Sequence, residues 1–175
     1  MAKKVAVLAV NPVNGSGLFQ YLEAFYENQI PYKVFAVSDT KEIKSNSGIP
    51  LSADDVIAHL KGHEDDYDAL VFGCGDAVPV FTQHAEEPYN KDLFEVISAF
   101  GNKGKLMIGH CAAAMFFDIA GVAAGKKLAV HPLAKPAVQN GKPTDAPFEV
   151  DGNFHTAQTE NTINRLLPQL IQTLK

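Results

Sequence analysis

The sequence predicts an α/β protein in which helices cover both faces of a mostly parallel sheet, giving three layers. Two observations predict this fold class. Short apolar runs alternate along the chain with amphipathic stretches of helical period, which is the order expected of strand–helix–strand units. The runs are apolar at every position rather than at every second one, and strands of this kind are buried on both faces.

In the first half of the chain, residues 5–10 form a continuous apolar run that ends just before Pro12, which predicts a buried strand. Residues 18–29 carry apolar side chains three and four positions apart, the spacing of an amphipathic helix. Residues 32–37 predict a second strand. Ser52 is a good N-cap residue, so we expect a helix that begins there and ends at Gly62.

The second half of the chain continues the alternation. Apolar runs predict strands, and amphipathic or alanine-rich stretches predict helices. The expected strands are 68–73, 106–108, 127–130 and 153–157, and the expected helices are 90–100, 112–120 and 161–174. Pro168 lies inside the last helix, so we expect either a kink there or a helix that begins later.

Length and composition limit the function classes. The chain has 175 residues, so we expect a single domain spanning 1–175. The net charge is −5 and Arg165 is the one arginine, which argues against nucleic acid as a partner. Cys74 and Cys111 are too few and too distant in sequence to indicate a disulfide framework. No apolar run is long enough for a signal peptide or a membrane span, so we expect a cytoplasmic protein that does not bind membranes.

Ligands of parallel sheets gather beyond the carboxyl ends of the strands. In this sequence those positions are the segments 11–17, 73–79 and 109–113, which are therefore the places to look for a site.

The most informative of these segments surrounds Cys111. A buried strand leads directly into a helix, with Cys111 at the turn and the small residues Gly109 and Ala113 two positions to either side. A nucleophile elbow needs this arrangement, because no bulky side chain fits beside the nucleophile. The backbone N–H groups at the start of the helix would lower the pKa of the thiol. The alternative interpretation is a buried structural cysteine in an alanine-rich core.

Four stretches in register resemble one known family. Gly109-His-Cys-Ala-Ala-Ala resembles the cysteine elbow of the ThiJ/PfpI family, which includes intracellular proteases and the parkinsonism-associated deglycase. The other three stretches are 67–75, where Cys74 replaces a usual glycine, 129–132 with His131, and 151–157. The resemblance implies a flavodoxin-like sandwich related to class I glutamine amidotransferases, and it also implies a homodimer.

The resemblance also implies roles for particular residues. Cys111 is expected to be the nucleophile, with His131 as its base or orienting group. Other candidates are backbone N–H groups of an oxyanion hole and polar residues of a small pocket; these are Gly75, Ala112, Asn14 and Ser16. His110 precedes the cysteine on a strand, where neighbouring side chains point to opposite faces, so we expect it to face away from the thiol.

The sequence departs from the family pattern in two respects. The histidine that follows the cysteine in PfpI-like proteases is replaced by Ala112. The glutamate expected after the first strand is missing, because the segment 11–17 contains no acid. A carboxyl there would act as general acid or base during turnover. An acid from elsewhere could replace it, and the candidates are Asp76, Glu86, Glu87 and Glu160.

No motif indicates a cofactor or a metal. Gly15 and Gly17 match the first two glycines of the dinucleotide-binding fingerprint. Gln20 occupies the position of the third glycine, so a plain turn is favoured. His59 and His63 have helical spacing, but Gly62 interrupts the turn and no glutamate completes a zinc motif.

Three functions remain open. The first is a cysteine-dependent hydrolase (a protease or amidase) or a glyoxalase-type enzyme, acting on a small molecule or a peptide. The second is a redox-responsive protein in which Cys111 is oxidised reversibly. The third is a binding or chaperone-like protein with a degenerate site. The intact elbow favours the enzyme, and the missing glutamate favours the other two.

Overall fold

The computed structural model describes residues 1–175. Its helices and strands are, in chain order, β1 (Val5–Val10), α1 (Gly15–Glu27), β2 (Tyr32–Val37), β3 (Glu42–Lys44), β4 (Pro50–Ser52), β5 (Asp55–Val56), β6 (Ala69–Gly73), α2 (Pro88–Asn102), β7 (Leu106–His110), α3 (Ala113–Ile119), β8 (Lys127–Ala129), β9 (Lys142–Thr144), β10 (Phe148–Asp151), β11 (Phe154–Ala157) and α4 (Ile163–Leu174).

Seven strands form one sheet in the order β10-β11-β7-β6-β1-β2-β5. All neighbours are parallel except β10, which runs antiparallel to β11 at one edge. β1 lies near the middle, and all six of its residues are buried. Consecutive residues of β7 face opposite sides of the sheet: His110 contacts Gly17 of α1, while Gly109 contacts Ala113 of α3. Helices therefore cover both faces, and the predicted three-layer α/β sandwich is confirmed.

The prediction of a helix that begins at Ser52 is wrong. Ser52 instead pairs with Glu42 in the β3–β4 hairpin. The backbone N–H of Val34 in β2 donates to the carboxylate of Asp54 at 2.8 Å, and β5 then pairs with β2. These contacts hold the segment extended along the edge of the sheet. Only a short 3₁₀ turn at Ile57–His59 is helical, because serine and aspartate serve hairpins and turns as readily as helix N-caps.

Other predicted elements are confirmed with small changes in their bounds. α4 begins at Ile163, two residues later than predicted, and continues through Pro168. The sequence did not predict β3, β4, β9 or β10, which are three or four residues long and mostly only partly buried. None of the helices is both long and apolar enough to cross a membrane.

α3 packs unusually closely against β7, and the absence of a side chain at Gly109 permits it. A Cβ atom at Gly109 would lie 2.4 Å from the Cβ of Ala113. Small residues at both positions let the helix begin directly above the end of the strand, and the turn between them carries Cys111.

We expect Gly109→Ala to lower the free energy of unfolding by about 1–3 kcal/mol, the usual cost of overpacking. Ala113→Gly should recover part of that loss in the double variant, because it removes the atom that the new Cβ meets. Urea denaturation of the two single variants and the double variant measures the coupling. Gly15→Ala is a matched control, since its Cβ would have 3.5 Å to the nearest atom. Simple additivity of the two losses would contradict this account.

Candidate active site

A cavity of about 550 Å³ opens at the carboxyl ends of the parallel strands. The three segments predicted from the sequence all contribute to its wall, through Asn14, Gly75 and Cys111 among others. Further residues come from the β3–β4 hairpin and from the loops after β8 and β11; they are Asn46, His131 and Glu160. The volume lies within the range of small-molecule sites.

The backbone of Cys111 has the left-handed conformation that a nucleophile elbow requires. Its φ angle is +59°, which is uncommon for a residue with a side chain. Two hydrogen bonds hold it there: the Cys111 N–H donates to the carbonyl of Ala157 at 3.2 Å, and the Cys111 carbonyl accepts from the N–H of His131 at 3.0 Å. The surrounding chain thus determines the strained turn, which leaves the half-buried Cys111 side chain in the cavity.

The thiol of Cys111 ionises more easily than an ordinary thiol. A hydrogen bond from the Cys74 side chain is the largest cause lowering its pKa, and the backbone N–H of Ala112 lowers it further. Burial and the negative charges of Glu160 and Asp76 act in the opposite direction. The pKa of Cys74 is raised, first by its hydrogen bond to Cys111 and then by burial. The pair therefore loses its first proton from Cys111 and retains the second on Cys74.

Gly75 and Ala112 offer backbone N–H groups beside the two sulfur atoms. Neither N–H donates to a backbone carbonyl, and both form hydrogen bonds that lower the pKa of Cys74. Residue 75 must be glycine, because a Cβ there would lie 2.3 Å from the carbonyl oxygen of Pro12. Two backbone N–H groups beside the Cys111 thiol that donate to no carbonyl are the arrangement that stabilises a developing oxyanion.

Two of the four candidate acids reach the cavity. Glu160 and Asp76 line it, and the charge of each is felt at Cys111. Glu160 is partly buried and Asp76 is exposed. Glu86 lies outside the cavity, where it forms an exposed ion pair with Lys91 at 2.8 Å, and Glu87 does not line the cavity either.

The two histidines near Cys111 differ in environment. His131 lines the cavity, and its Nδ1 accepts a hydrogen bond from the N–H of Leu133 at 3.1 Å. A neutral ring in this geometry carries its proton on Nε2, which suits a hydrogen-bond donor rather than a base. His110 also belongs to the cavity wall, but it is only 1% exposed. Its ring packs beneath α1 against Gly17 and the ring of Tyr21, on the face that strand alternation predicts.

Asn14 and Ser16 occupy different positions relative to the thiol. The side-chain oxygen of Asn14 caps α1 by accepting the N–H of Gly17, and Asn14 lines the cavity that contains Cys111. Ser16 lies in a neighbouring pocket. Asn14 and Asn46 line both pockets, so the two spaces adjoin at these amides.

Sequence reasoning missed two features of the site. Cys74 replaces a glycine that is usual in the family, but its side chain is the largest cause of the lowered pKa of Cys111. Each cysteine directly follows the last residue of its strand. The register of β6 and β7 therefore places Cys74 next to Cys111, but the sequence alone does not give that register. Asn46 reaches the cavity through the unpredicted hairpin, where its side-chain oxygen accepts the N–H of Asp76 at 2.9 Å.

A strained cysteine turn at the end of a parallel strand defines the class of α/β proteins with a nucleophile elbow. The DJ-1/PfpI family model matches residues 3–173, and the chain belongs to that family. The DJ-1beta structure of Drosophila melanogaster has the same fold, with a TM-score of 0.85 at 20% identity, over 99% of this chain and 91% of that one.

Two comparisons give much closer relatives. Protein ppBat of Bacteroides thetaiotaomicron is 73% identical over 175 residues, which is the full length of both chains. A crystal structure of a candidate protease I from the same organism superposes with a TM-score of 0.98. Its identity is also 73%, and the match covers 99% of this chain and 100% of that one.

We expect Cys74→Ala to raise the pKa of Cys111, because it removes the hydrogen bond that stabilises the thiolate. The rate of alkylation by iodoacetamide should then rise at a higher pH than in the parent protein. Cys74→Ser restores a donor of similar size and should recover most of the shift. If Cys111 in Cys74→Ala titrates as it does in the parent, the assigned hydrogen bond is wrong.

We expect stability to fall on mild acidification, and His110 to be one cause. Burial lowers the pKa of His110 to about 4, whereas the unfolded residue titrates near 6.5. Below pH 6.5 the unfolded chain binds a proton that the folded chain does not, so the free energy of unfolding declines toward pH 4. His155, whose pKa is also lowered by burial, contributes in the same direction.

Urea denaturation at pH 7 and pH 5 measures this effect. His110→Leu should lose less stability than the parent protein over that interval, whatever its stability at pH 7. His84→Leu is the control, because His84 is exposed and its side chain forms no ion pair. An unchanged pH dependence in His110→Leu would contradict the assignment.

Proposed function

We propose that the protein is a cysteine-dependent hydrolase of small amides or short peptides, with Cys111 as the nucleophile. The observation that carries this proposal is the positive φ of Cys111, which presents an acidified thiol to a cavity. The resemblance of the fold and sequence to a candidate protease I supports the choice of an amide bond. The cavity volume favours a small substrate or the end of a chain over a folded protein.

The first step is attack by the Cys111 sulfur on the substrate carbonyl carbon. The oxygen that becomes negative then lies beside the N–H groups of Gly75 and Ala112, which act as the oxyanion hole. Collapse of the tetrahedral intermediate breaks the carbon–nitrogen bond and leaves a thioester on Cys111. Attack by water on that thioester releases the acid and regenerates the thiol.

We assign the proton transfers to Glu160. Its carboxylate takes the proton that Cys111 loses and delivers it to the departing amine, the role that the missing family glutamate would otherwise have. Glu160 is preferred to Asp76 because it is partly buried, whereas Asp76 is exposed. His131 orients the substrate as a hydrogen-bond donor through Nε2, because its Nδ1 is already an acceptor.

The test is a panel of short peptidyl aminomethylcoumarin substrates, with release of the fluorophore followed against pH. Cys111→Ala should abolish turnover. Glu160→Gln should lower kcat by about 10²-fold or more, the usual effect of removing a general acid–base group. Asp76→Asn is the matched control and should retain most of the activity. Turnover that survives Cys111→Ala would refute the nucleophile, and equal losses in Glu160→Gln and Asp76→Asn would refute the assignment of the acid.

A further inference from the structure

Cys74 and Cys111 occupy equivalent places at the ends of neighbouring strands. In the parallel pairing of β6 with β7, Phe72 lies opposite Gly109, and each cysteine follows two residues later. Adjacent strands are about 4.8 Å apart, which is within the Cα separation that a disulfide spans. Both residues line the same cavity.

The two thiols differ in their access to solvent. Cys111 is half-buried and faces the cavity, whereas Cys74 is only 3% exposed. A small oxidant that enters the cavity therefore reaches Cys111 first. Cys111 is also the more acidic of the two, and the thiolate is the form that reacts with oxidants.

We propose that Cys74 is a resolving cysteine, which converts a hydroperoxide-oxidised Cys111 into an intramolecular Cys74–Cys111 disulfide. This inference goes beyond the proposed hydrolase function and does not depend on it, because it concerns only the two thiols and the oxidant.

The chemistry takes place in two balanced steps. The Cys111 thiolate attacks one oxygen of the hydroperoxide and the O–O bond breaks, giving a sulfenic acid on Cys111. The departing alkoxide, or hydroxide if the oxidant is hydrogen peroxide, takes up the proton that the thiol had released and leaves as an alcohol or as water. The Cys74 sulfur then attacks the Cys111 sulfur. The S–O bond breaks, and the hydroxide leaves as water with the proton of Cys74. The two thiols together lose two electrons, and the hydroperoxide gains them.

The position of Cys74 determines which product forms. A sulfenic acid that meets no thiol can react with a second peroxide to give a sulfinic acid, which is not readily reduced. Cys74 lies on the neighbouring strand end and lines the same cavity as Cys111, so disulfide formation needs no encounter in solution. The product is reducible by an external dithiol, and while it persists Cys111 is not available as a nucleophile.

In the experiment, the fully reduced protein is treated with a small excess of hydrogen peroxide, and the remaining thiols are blocked with N-ethylmaleimide. The protein is then digested without reduction, and its peptides are mapped by mass spectrometry. We expect both cysteines to lose their reactivity to N-ethylmaleimide together. We also expect the peptide containing Cys74 to be linked to the peptide containing Cys111 within monomeric protein. Dithiothreitol should restore both thiols.

Two variants complete the test. In Cys74→Ser, the same peroxide dose should convert Cys111 to the sulfinic acid. In Cys111→Ser, Cys74 should remain reduced. The proposal is overturned if the parent protein accumulates the sulfinic acid while Cys74 still reacts with N-ethylmaleimide, or if the linked peptides come only from dimers. The peptide map of the parent protein decides the matter even if a variant fails to fold.

Discussion

The parallel register of β6 and β7 is the constraint on which the site depends. Because Phe72 lies opposite Gly109, the two strands end side by side and the residues beyond them, Cys74 and Cys111, meet in one cavity. A slip of one residue would exchange the two faces of β7. His110 would then point at α3, where Gly109 now leaves only enough room for the Cβ of Ala113. The close packing of α3 therefore fixes the register, and the register brings the two thiols together.

The electrostatics of the cavity explain why the second thiol matters. Two carboxylates, Glu160 and Asp76, oppose a negative charge on Cys111, and so does burial. The segment 11–17 supplies no acidic proton donor to offset them. Cys74 supplies a donor from the neighbouring strand instead. The pKa of Cys74 is raised by its hydrogen bond to Cys111 and by burial, so Cys74 keeps its proton. It can therefore stabilise the thiolate in place of the missing glutamate, and it leaves proton transfer to another residue.

The sequence predicted those features that depend on local pattern. The apolar runs located the central strands, the spacing of Gly109 and Ala113 located the elbow, and strand alternation gave the direction of His110. Prediction from the sequence is wrong where one residue type suits several structures. Ser52, for example, is typical of a helix N-cap but lies in a hairpin. The sequence also could not place side chains that meet only through the fold. Cys74 and Cys111 share one cavity only because of the strand register, and Glu160 reaches that cavity only through the loop after β11.

The unequal exposure of the two thiols determines their roles. Two thiols that share a poorly solvated cavity hold one negative charge easily and a second one only at great cost. That single charge resides on the better solvated sulfur, which is Cys111 at the cavity, and the retained proton stays on buried Cys74. Exchanging the two environments would place the thiolate where no substrate reaches it. The strained turn at Cys111 thus has a double effect, because it exposes one sulfur to the cavity and leaves the other beneath it as a donor.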